Sequence, residues 1–555
     1  MASELSLPLD MVYHWETAKA ENLYLTQPMG NGEVQEYTWR RAVGEARRMA
    51  SYLKSLNLPP KSKIAILSKN CAHWIMSDWA IWMAGHVTVP LYPTLNAETV
   101  GYILEHSEAE VLFVGKLDDW PTMKPGVPEN MHCISYPLSP QNDYPTWDDL
   151  VAKYPPLQEN TKRDPDELAT IVYTSGSTGK PKGVMLSFAA LAHAAKGAIE
   201  ALDINPNERM LSYLPLAHVM ERFIVEMGSA YAGFHLFFAE TLDTFVADLR
   251  RAQPTLFLAV PRIWTKFQAG VFEKMPPQKL ERMMKIPLLN RVVKKKILKT
   301  LGLENVKFAG SGSAPLSDEV LDWYRNLGLE LLEGYGMSEN FAYSHMTKPG
   351  RARTGFVGEP LPGVDVRISE EGEVQIKSPA NMMGYYKAPD KTAESFTEDG
   401  YIRTGDKGQV DELGRLKLTG RIKEIFKTSK GKYVAPAPIE NRLVSHPYIE
   451  MVCVSGANYP QPHGLVMLSE EAQRKTADSA FRTELEKSFK DLLSEVNNTV
   501  DPHERLKFLA VVKDEWTIEN DFLTPTLKLK RNVVEDAYKE MTDRWYDEKQ
   551  PVIWQ

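Results

Sequence analysis

Alternating strand and helix patterns between residues 37 and 114 restrict the chain to the α/β class of folds. Apolar residues at helical spacing indicate helices, and short uninterrupted apolar runs indicate buried strands. The helix patterns cover 37–56, 71–84 and 97–106, and the strand patterns cover 63–68, 87–91 and 110–114. Strands that are separated by helices favour a largely parallel sheet.

The 555 residues exceed what one compact core usually holds, so we expect more than one domain. Strands with glycine turns over about 355–420 predict a small β-rich subdomain that ends a large N-terminal domain, 1–420. Beyond residue 421 the composition becomes more polar, which indicates a smaller α+β domain. The stretch 121–156, rich in Pro, Asn and Asp, is interpreted as a surface connection.

Composition excludes several classes of protein. The net charge of −8 argues against a dedicated nucleic-acid binder, which usually carries a basic face. Cys71, Cys133 and Cys453 lie far apart, so they suit neither a disulfide framework nor a zinc site and fit a reducing cytoplasm. No signal peptide is indicated, and no apolar run approaches the ~18 residues of a membrane-spanning helix. We therefore expect a cytoplasmic enzyme.

The segment Thr174-Ser-Gly-Ser-Thr-Gly-Lys-Pro-Lys-Gly183 joins two predicted strands, 168–173 and 183–187. Its glycines let backbone N–H groups converge on one point, and its hydroxyl groups and lysines add donors and positive charge. A polyphosphate is the natural ligand of such a loop. The segment is not a Walker loop, because a strand follows it instead of a helix. A flexible Ser/Gly turn with two solvated lysines is the alternative interpretation.

This loop resembles the signature of the adenylate-forming superfamily, which contains acyl-CoA synthetases, luciferases and peptide-synthetase adenylation domains. The resemblance implies that the loop binds the phosphates of ATP. The residues concerned are Thr174, Ser175, Gly176, Ser177, Thr178, Gly179, Lys180 and Lys182.

A second motif, Glu333-Gly-Tyr-Gly-Met-Ser-Glu339, is similar to the Tyr-Gly-x-Thr-Glu motif of that superfamily. The resemblance implies that Tyr335 stacks near the adenine, that Ser338 contacts the α-phosphate and that Glu339 binds Mg²⁺. A carboxylate beside a triphosphate needs a divalent cation between them, which suits this role. A helix cap by Ser338 and Glu339 is the alternative. Further nucleotide-site residues implied by this motif and by the segment 310–316 are Gly312, Ser313, Ala314, Glu333, Gly334 and Gly336.

Two motifs further along the chain complete the implied nucleotide site. Asp406 ends Thr-Gly-Asp, the motif whose aspartate accepts hydrogen bonds from the ribose hydroxyls. Gly420-Arg-Ile-Lys-Glu-Ile425 is similar to the interdomain hinge motif, so Arg421 would reach the ribose and Lys423 would be the pivot. The implied hinge is 421–424, followed by a mobile C-terminal domain, 425–555. In relatives a loop at the position of Gly431 turns toward the thioester-forming site.

The segment Leu523-Thr-Pro-Thr-Leu-Lys-Leu-Lys-Arg531 resembles the motif that carries the catalytic lysine of adenylation. A mobile positive charge suits a step in which negative charge builds up between a carboxylate and a phosphate. The usual glycine before this lysine is missing, so two lysines compete. Lys528 keeps the spacing to Arg531 and is the preferred candidate, with Lys530 as the alternative.

The string Tyr213-Leu-Pro-Leu-Ala-His-Val-Met-Glu-Arg222 is similar to one found in long-chain fatty acyl-CoA synthetases, and His218 would border the acyl site. The resemblance implies a fatty acid–CoA ligase that uses ATP and Mg²⁺. Such an enzyme forms acyl-AMP, releases pyrophosphate and transfers the acyl group to coenzyme A. Three alternatives remain: transfer to a carrier protein in trans, a medium-chain or other acid as substrate, and a non-catalytic fatty-acid- or nucleotide-binding homologue.

The segment 274–299 interleaves lysines and arginines with apolar residues. Such a segment fits a peripheral contact with the inner face of an anionic membrane, and a solvated connecting helix is the slightly preferred interpretation. A homodimer is a further assembly that the sequence leaves open. Acyl chain length does not follow from the sequence either, since pocket depth depends on packing.

Overall fold

The computed structural model of the protein describes residues 5–174, 180–312, 316–524 and 527–555. The strands in chain order are β1 Leu23–Gly30, β2 Glu33–Thr38, β3 Lys63–Leu67, β4 Val87–Leu91, β5 Ala109–Val114, β6 His132–Ser135, β7 Leu168–Thr174, β8 Lys182–Ser187, β9 Arg209–Ser212, β10 His235–Phe238, β11 Leu256–Ala259, β12 Phe308–Ser311, β13 Leu331–Tyr335, β14 His345–Met346, β15 Glu359–Pro360, β16 Asp365–Ile368, β17 Glu373–Lys377, β18 Gly384–Tyr385, β19 Ile402–Val410, β20 Leu416–Arg421, β21 Phe426–Lys427, β22 Tyr433–Val434, β23 Ile449–Ser455, β24 His463–Leu468, β25 Leu509–Val511 and β26 Val552–Trp554.

The α-helices in chain order are α1 Pro8–Ala18, α2 Trp39–Ser55, α3 Ala72–Met83, α4 Ala97–Ser107, α5 Trp120–Met123, α6 Trp147–Lys153, α7 Phe188–Leu202, α8 Val219–Glu221, α9 Gly228–Ala232, α10 Phe245–Ala252, α11 Pro261–Lys274, α12 Pro277–Met284, α13 Leu289–Leu301, α14 Asp318–Leu327, α15 Pro389–Ser395, α16 Pro436–Leu443, α17 Glu470–Lys475, α18 Ser479–Thr499 and α19 Arg531–Asp547. No helix in the described ranges is both long and apolar enough to cross a membrane.

A seven-stranded sheet, in the order β18-β8-β7-β4-β3-β5-β6, confirms the expected α/β alternation. Its strands β7, β4, β3, β5 and β6 run parallel, and β8 returns antiparallel to β7. Every residue of β4 is buried, as a parallel strand covered on both faces requires. The alternation of helix and strand therefore predicted this half of the fold.

The interpretation of 121–156 as a surface connection is wrong. Strand β6 lies within this stretch and pairs in parallel with β5 at the edge of the seven-stranded sheet. Helix α6 follows it and packs Trp147, whose side chain is fully buried, into the core. Strand β6 is only four residues long, so its apolar signal is lost among the flanking prolines and asparagines.

A nine-stranded sheet, in the order β15-β14-β13-β12-β11-β9-β10-β1-β2, places two of the sequence motifs side by side. Strands β12 and β13 are parallel neighbours, with Ser311 opposite Glu333. The segment 312–316 follows β12, and the motif 333–339 begins within β13 and continues beyond its end. Ligands of open α/β sheets bind beyond the carboxyl ends of such strands, so this edge is a candidate site.

Two smaller units follow. Strands β16, β17, β19 and β20 form an antiparallel sheet, which confirms the β-rich pattern predicted for about 355–420. The later part of the chain contains the hairpin β21–β22 and the sheet β23-β24-β25-β26, with α16, α18 and α19 against it. The protein thus consists of a large N-terminal part with several sheets and a smaller α+β C-terminal part, as the sequence predicted.

A buried ionic network lies at the centre of the N-terminal part. The guanidinium of Arg222 has no solvent exposure and forms ion pairs with Asp78 on α3 and, at 3.0 Å, with Glu226. It also donates a hydrogen bond of 2.8 Å to Thr170 on β7. Burial raises the pKa of Glu226 well above its usual value. Because Asp78 and Glu226 share one cation in a dry environment, we infer that Glu226 is protonated and that Asp78 balances the charge.

We expect Asp78→Ala to lower the free energy of unfolding by about 3–5 kcal/mol, because it leaves the Arg222 charge without its carboxylate partner. Urea titration monitored by tryptophan fluorescence measures this loss. The control is Asp322→Ala, which removes an exposed pair with Arg325 and should cost less than about 1 kcal/mol. Equal losses in the two variants would contradict the importance of the buried network.

Candidate active site

Three of the predicted nucleotide-binding residues lie in direct contact. The hydroxyl of Tyr335 donates a hydrogen bond of 2.6 Å to Asp406 Oδ2, and Arg421 Nε lies 3.0 Å from Asp406 Oδ1. Asp406 and Arg421 face each other across β19 and β20, so the antiparallel register sets their pairing. Tyr335 ends β13 of the other sheet. The contact therefore joins the β-rich subdomain to the end of the nine-stranded sheet.

The amine of Lys528 lies within electrostatic range of this cluster. Lys528 is exposed to solvent, yet desolvation by the surrounding protein and the positive charge of Arg421 lower its pKa, while Asp406 and Glu339 oppose the shift. The charge of Lys528 also contributes, after burial, to the lowered pKa of His218.

The competing lysine points elsewhere. Lys530 forms an ion pair with Asp521, and its backbone N–H donates to the carbonyl of Phe522 at 2.8 Å. Both partners belong to the C-terminal part of the chain. The structure thus brings Lys528, and not Lys530, toward the residues of the N-terminal part.

Glu339 is oriented by a residue that the sequence analysis missed. The hydroxyl of Tyr385 donates a hydrogen bond of 2.7 Å to Glu339 Oε1. Strand β18, which carries Tyr385, pairs with β8 directly after the glycine-rich loop. Lys182 of that loop lies with its Nζ 5.0 Å from the centre of the Tyr385 ring. Only the sheet pairing reveals this proximity, since about 200 residues separate the two strands in sequence.

The ends of the glycine-rich loop are held by adjacent strands. Thr174 on β7 and Lys182 on β8 are register partners, and Lys180 Nζ lies 5.0 Å from the centre of the Tyr102 ring. The predicted phosphate-binding residues Ser175, Gly176, Ser177, Thr178 and Gly179 lie outside the described residues, as do Ser313 and Ala314 of the second loop.

Gly336 is required by close approach to backbone, and Gly312 lies in a tight contact with a side chain. A Cβ atom at Gly336 would lie 2.5 Å from the carbonyl carbon of Ala342, which no side chain tolerates. A Cβ atom at Gly312 would lie 3.1 Å from Met220 Sδ and 3.8 Å from the carbonyl oxygen of Gly334. The segments that carry Gly312, Gly334 and Met220 are therefore packed together.

His218 begins helix α8 and serves as its N-cap. Its Nδ1 accepts a hydrogen bond of 3.1 Å from the backbone N–H of Met220. Burial, followed by the charge of Lys528, lowers the pKa of His218 to about 4. The imidazole is therefore neutral at pH 7, and its proton resides on Nε2 because Nδ1 is an acceptor. A neutral imidazole of this kind can line an apolar pocket.

The loop before His218 is fixed by Glu221 and Asn70, two polar residues whose roles the sequence analysis did not assign. The Oε1 atom of Glu221 accepts hydrogen bonds from the Ser212 hydroxyl at 2.9 Å and from the Tyr213 N–H at 3.1 Å. The amide nitrogen of Asn70 also donates to it at 3.2 Å, and Asn70 Oδ1 accepts from Leu216 N–H at 2.9 Å. The sequence signal for Glu221 was its place in the Glu-Arg ending of the motif 213–222.

The other predicted residues occupy varied positions. The carboxyl of Glu333 accepts a hydrogen bond of 3.1 Å from Leu316 N–H, and burial raises its pKa to about 7. Ser338 begins a 3₁₀ turn with Glu339. Lys423 lies in the turn after β20, and Gly431, with φ of 78°, lies in the turn between β21 and β22. Within the described ranges, no hydrogen bond or ion pair joins Lys423 or Gly431 to the cluster around Asp406.

The sequence pattern described as AMP-binding enzyme matches residues 15–386, and the pattern described as AMP-binding enzyme C-terminal domain matches residues 423–550. The chain therefore belongs to the AMP-binding enzyme family, which is the superfamily that the motifs indicated.

Similar proteins include Long-chain-fatty-acid--CoA ligase FadD15 of Mycobacterium bovis, which is 32% identical over 94% of each chain. Fatty acyl-CoA synthetase A of Dictyostelium discoideum is 30% identical over 95% of this chain and 88% of its own. Among solved structures, the adenylation domain of a carboxylate reductase from Mycobacterium chelonae matches with a TM-score of 0.81 at 22% identity, over 99% of this chain and 92% of its own. The structure of the anthranilate CoA ligase AuaEII matches with a TM-score of 0.78 at 20% identity, over 97% of this chain and 99% of its own. These two structures support the fold alone.

Proposed function

We propose that the protein is an AMP-forming fatty acid–CoA ligase for long-chain substrates. The observation that carries this proposal is the contact of Tyr335 and Arg421 with Asp406, with the Lys528 amine of the C-terminal part within electrostatic range of Asp406 and Glu339. A mobile cation opposite a nucleotide-binding edge is what adenylate formation requires. Relatives named as long-chain fatty acyl-CoA ligases, similar over nearly their whole length, support the substrate class.

In the first half-reaction a carboxylate oxygen of the fatty acid attacks the α-phosphorus of ATP. The bond from the α-phosphorus to the bridging oxygen breaks, and pyrophosphate leaves with that electron pair. Lys528 would stabilise the negative charge that develops between the two reactants, and Asp406 would hold the ribose with Arg421 beside it. The glycine-rich loop that begins at Thr174 would retain the β- and γ-phosphates.

Glu339 is the candidate magnesium ligand. Mg²⁺ is usually bound through one or two carboxylates together with substrate phosphates, and Tyr385 orients one such carboxylate here. When bound, the ion supplies charge neutralisation to the triphosphate.

In the second half-reaction the thiolate of coenzyme A attacks the acyl carbonyl and AMP leaves. We propose that residues 421–424 form a hinge about Lys423, between an N-terminal domain, 1–420, and a mobile domain, 425–555. Rotation would withdraw Lys528 and bring the turn at Gly431 inward.

Incubation of the protein with ATP, Mg²⁺, coenzyme A and fatty acids from acetate to oleate tests the proposed activity. We expect acyl-CoA and AMP as products, with the highest kcat/KM for the long chains. Acyl-AMP that accumulates without thioester would indicate a carrier protein as acceptor. A preference for short acids would contradict the substrate class, and the absence of turnover with every acid would contradict the enzymatic function.

We expect Lys528→Ala to reduce acyl-AMP formation by about 10²-fold or more, because the variant lacks the cation that faces the reacting phosphate. Thioester formation from synthetic acyl-AMP should stay within about threefold of the wild type, since this half-reaction does not need that charge. Lys530→Ala is the matched control and should leave both half-reactions nearly unchanged. A larger loss of adenylation in Lys530→Ala would reverse the assignment.

We also propose that the segment 274–299 contacts the inner face of an anionic membrane. It holds nine basic residues and one acidic residue in a chain with a net charge of −8. None of these nine basic side chains forms an ion pair with any described residue. Large apolar side chains are exposed in the same segment, at 51% for Ile286, 78% for Leu288 and 63% for Val292. Leu288 has φ of 69°, which is unusual outside glycine.

Cationic and apolar side chains on one exposed surface are typical of peripheral membrane helices, where each basic residue near an anionic surface contributes about 1 kcal/mol. On α13, Val292, Lys295, Lys296 and Lys299 share the exposed face, while Val293, Ile297 and Leu301 face the core. The helix is thus held by its apolar stripe and presents its charges outward. A fatty acid partitions into lipid, so such a contact would place the enzyme at its substrate.

Vesicle flotation tests this contact. We expect binding to phosphatidylcholine vesicles that contain phosphatidylserine and little binding to phosphatidylcholine alone. The triple variants Ile286→Ser/Leu288→Ser/Val292→Ser and Lys295→Gln/Lys296→Gln/Lys299→Gln should each bind at least tenfold more weakly. Leu413→Ser, which removes a leucine 61% exposed in another part of the molecule, is the control. Analytical sedimentation tests the alternative. If the wild type is a homodimer and the triple serine variant is a monomer, the surface binds a second copy of the chain instead.

A further inference from the structure

One ion pair connects the N-terminal part of the chain to the C-terminal part. Arg262 Nη2 on α11 contacts Glu450 Oε1 on β23. Among the described residues, it is the only ion pair between the segment before residue 421 and the segment after 424. The side chain of Arg262 is 63% exposed and that of Glu450 is 19% exposed. The pair therefore lies at the edge of the interface, where water and salt reach it.

Arg262 projects from a rigid element of the N-terminal part. It is the second residue of α11, after Pro261, where the helix dipole disfavours a cation. Two residues later, the fully buried Trp264 donates its indole N–H to the carbonyl of Gly310 at 3.3 Å. The Trp264 carbonyl accepts a hydrogen bond of 2.7 Å from Tyr324. The first turn of α11 is thus fixed to β12, the strand that leads to Gly312.

Glu450 is connected equally firmly to the segment that carries Lys528. Four residues along β23, the N–H of Val454 donates to Glu440 at 2.7 Å, and the carbonyl of Val454 accepts from Arg531 at 2.7 Å. Arg531 also pairs with Glu440 at 2.7 Å. Arg531 begins α19, three residues after Lys528. A short chain of partly buried polar contacts therefore links the strand of Glu450 to the segment of the catalytic candidate.

We propose that Arg262 and Glu450 are positioning residues for the adenylate-forming half-reaction, holding the C-terminal part where Lys528 faces the nucleotide edge. The inference rests on the proposed function, because only a two-step ligase needs this arrangement in one step and must leave it in the other. An exposed ion pair contributes roughly a two- to fivefold bias in an equilibrium. A bias of this size favours the arrangement and still lets the domains separate once pyrophosphate has left.

The test measures the two half-reactions separately in Arg262→Gln, Glu450→Gln, the double variant and the exchanged variant Arg262→Glu/Glu450→Arg. We expect each single variant to form acyl-AMP two- to fivefold more slowly and to make thioester from synthetic acyl-AMP at the wild-type rate or faster. The double variant should be no slower than either single variant. The exchanged pair should recover most of the lost adenylation rate, which a merely structural defect would not allow.

Salt dependence supplies a second readout. NaCl screens the ion pair, so adenylation by the wild type should slow as the NaCl concentration rises. The adenylation rate of Arg262→Gln, which lacks the pair, should depend less on NaCl. Arg325 and Asp322 form an exposed ion pair of 2.6 Å within α14. Arg325→Gln removes this pair and is the control for nonspecific loss of a surface charge. Equal slowing of both half-reactions, or no recovery in the exchanged variant, would overturn the proposal. A wild type that makes no acyl-AMP would instead refute the proposed function.

Discussion

The buried guanidinium of Arg222 is the interaction on which the rest of the N-terminal part depends. A charge without water must be neutralised by its neighbours; here Asp78 supplies the negative charge and Glu226 accepts a hydrogen bond of 3.0 Å from Arg222 Nε. Its hydrogen bond to Thr170 connects it to β7, the strand that leads into the glycine-rich loop. The same network therefore fixes the loop's strand and the segment that begins at His218. Both sides of the candidate site are positioned by one cation in the core.

Electrostatics of a different kind operate in the cleft. Asp406 lies between Tyr335 and Arg421, and Lys528 approaches them from the C-terminal part. These residues are drawn from separate sheets that meet at their ends. Weak contacts across this interface, such as the pair of Arg262 with Glu450, suit a molecule whose two parts must meet and separate.

The seven-stranded sheet and the β-rich subdomain could be predicted from the sequence because their signals are local. Buried strands such as β4 and helices such as α2 carry their periodicity within a few residues. Strand β6 could not be predicted, since four residues among prolines give too short a pattern. Tyr385 was missed for another reason: its contact with Glu339 arises from the pairing of β18 with β8, which no local pattern encodes.

The sequence by itself determined the fold class, the family and the order of its motifs, because glycines, lysines and carboxylates at fixed spacings are written along the chain. The tertiary structure decided which of two lysines faces the cleft. Lys528 and Lys530 lie two residues apart on an irregular segment, where no periodicity predicts the direction of a side chain. Asp521 engages Lys530 within the C-terminal part, while Lys528 faces Asp406 and Glu339. Long-range charge partners exist only once the chain has folded.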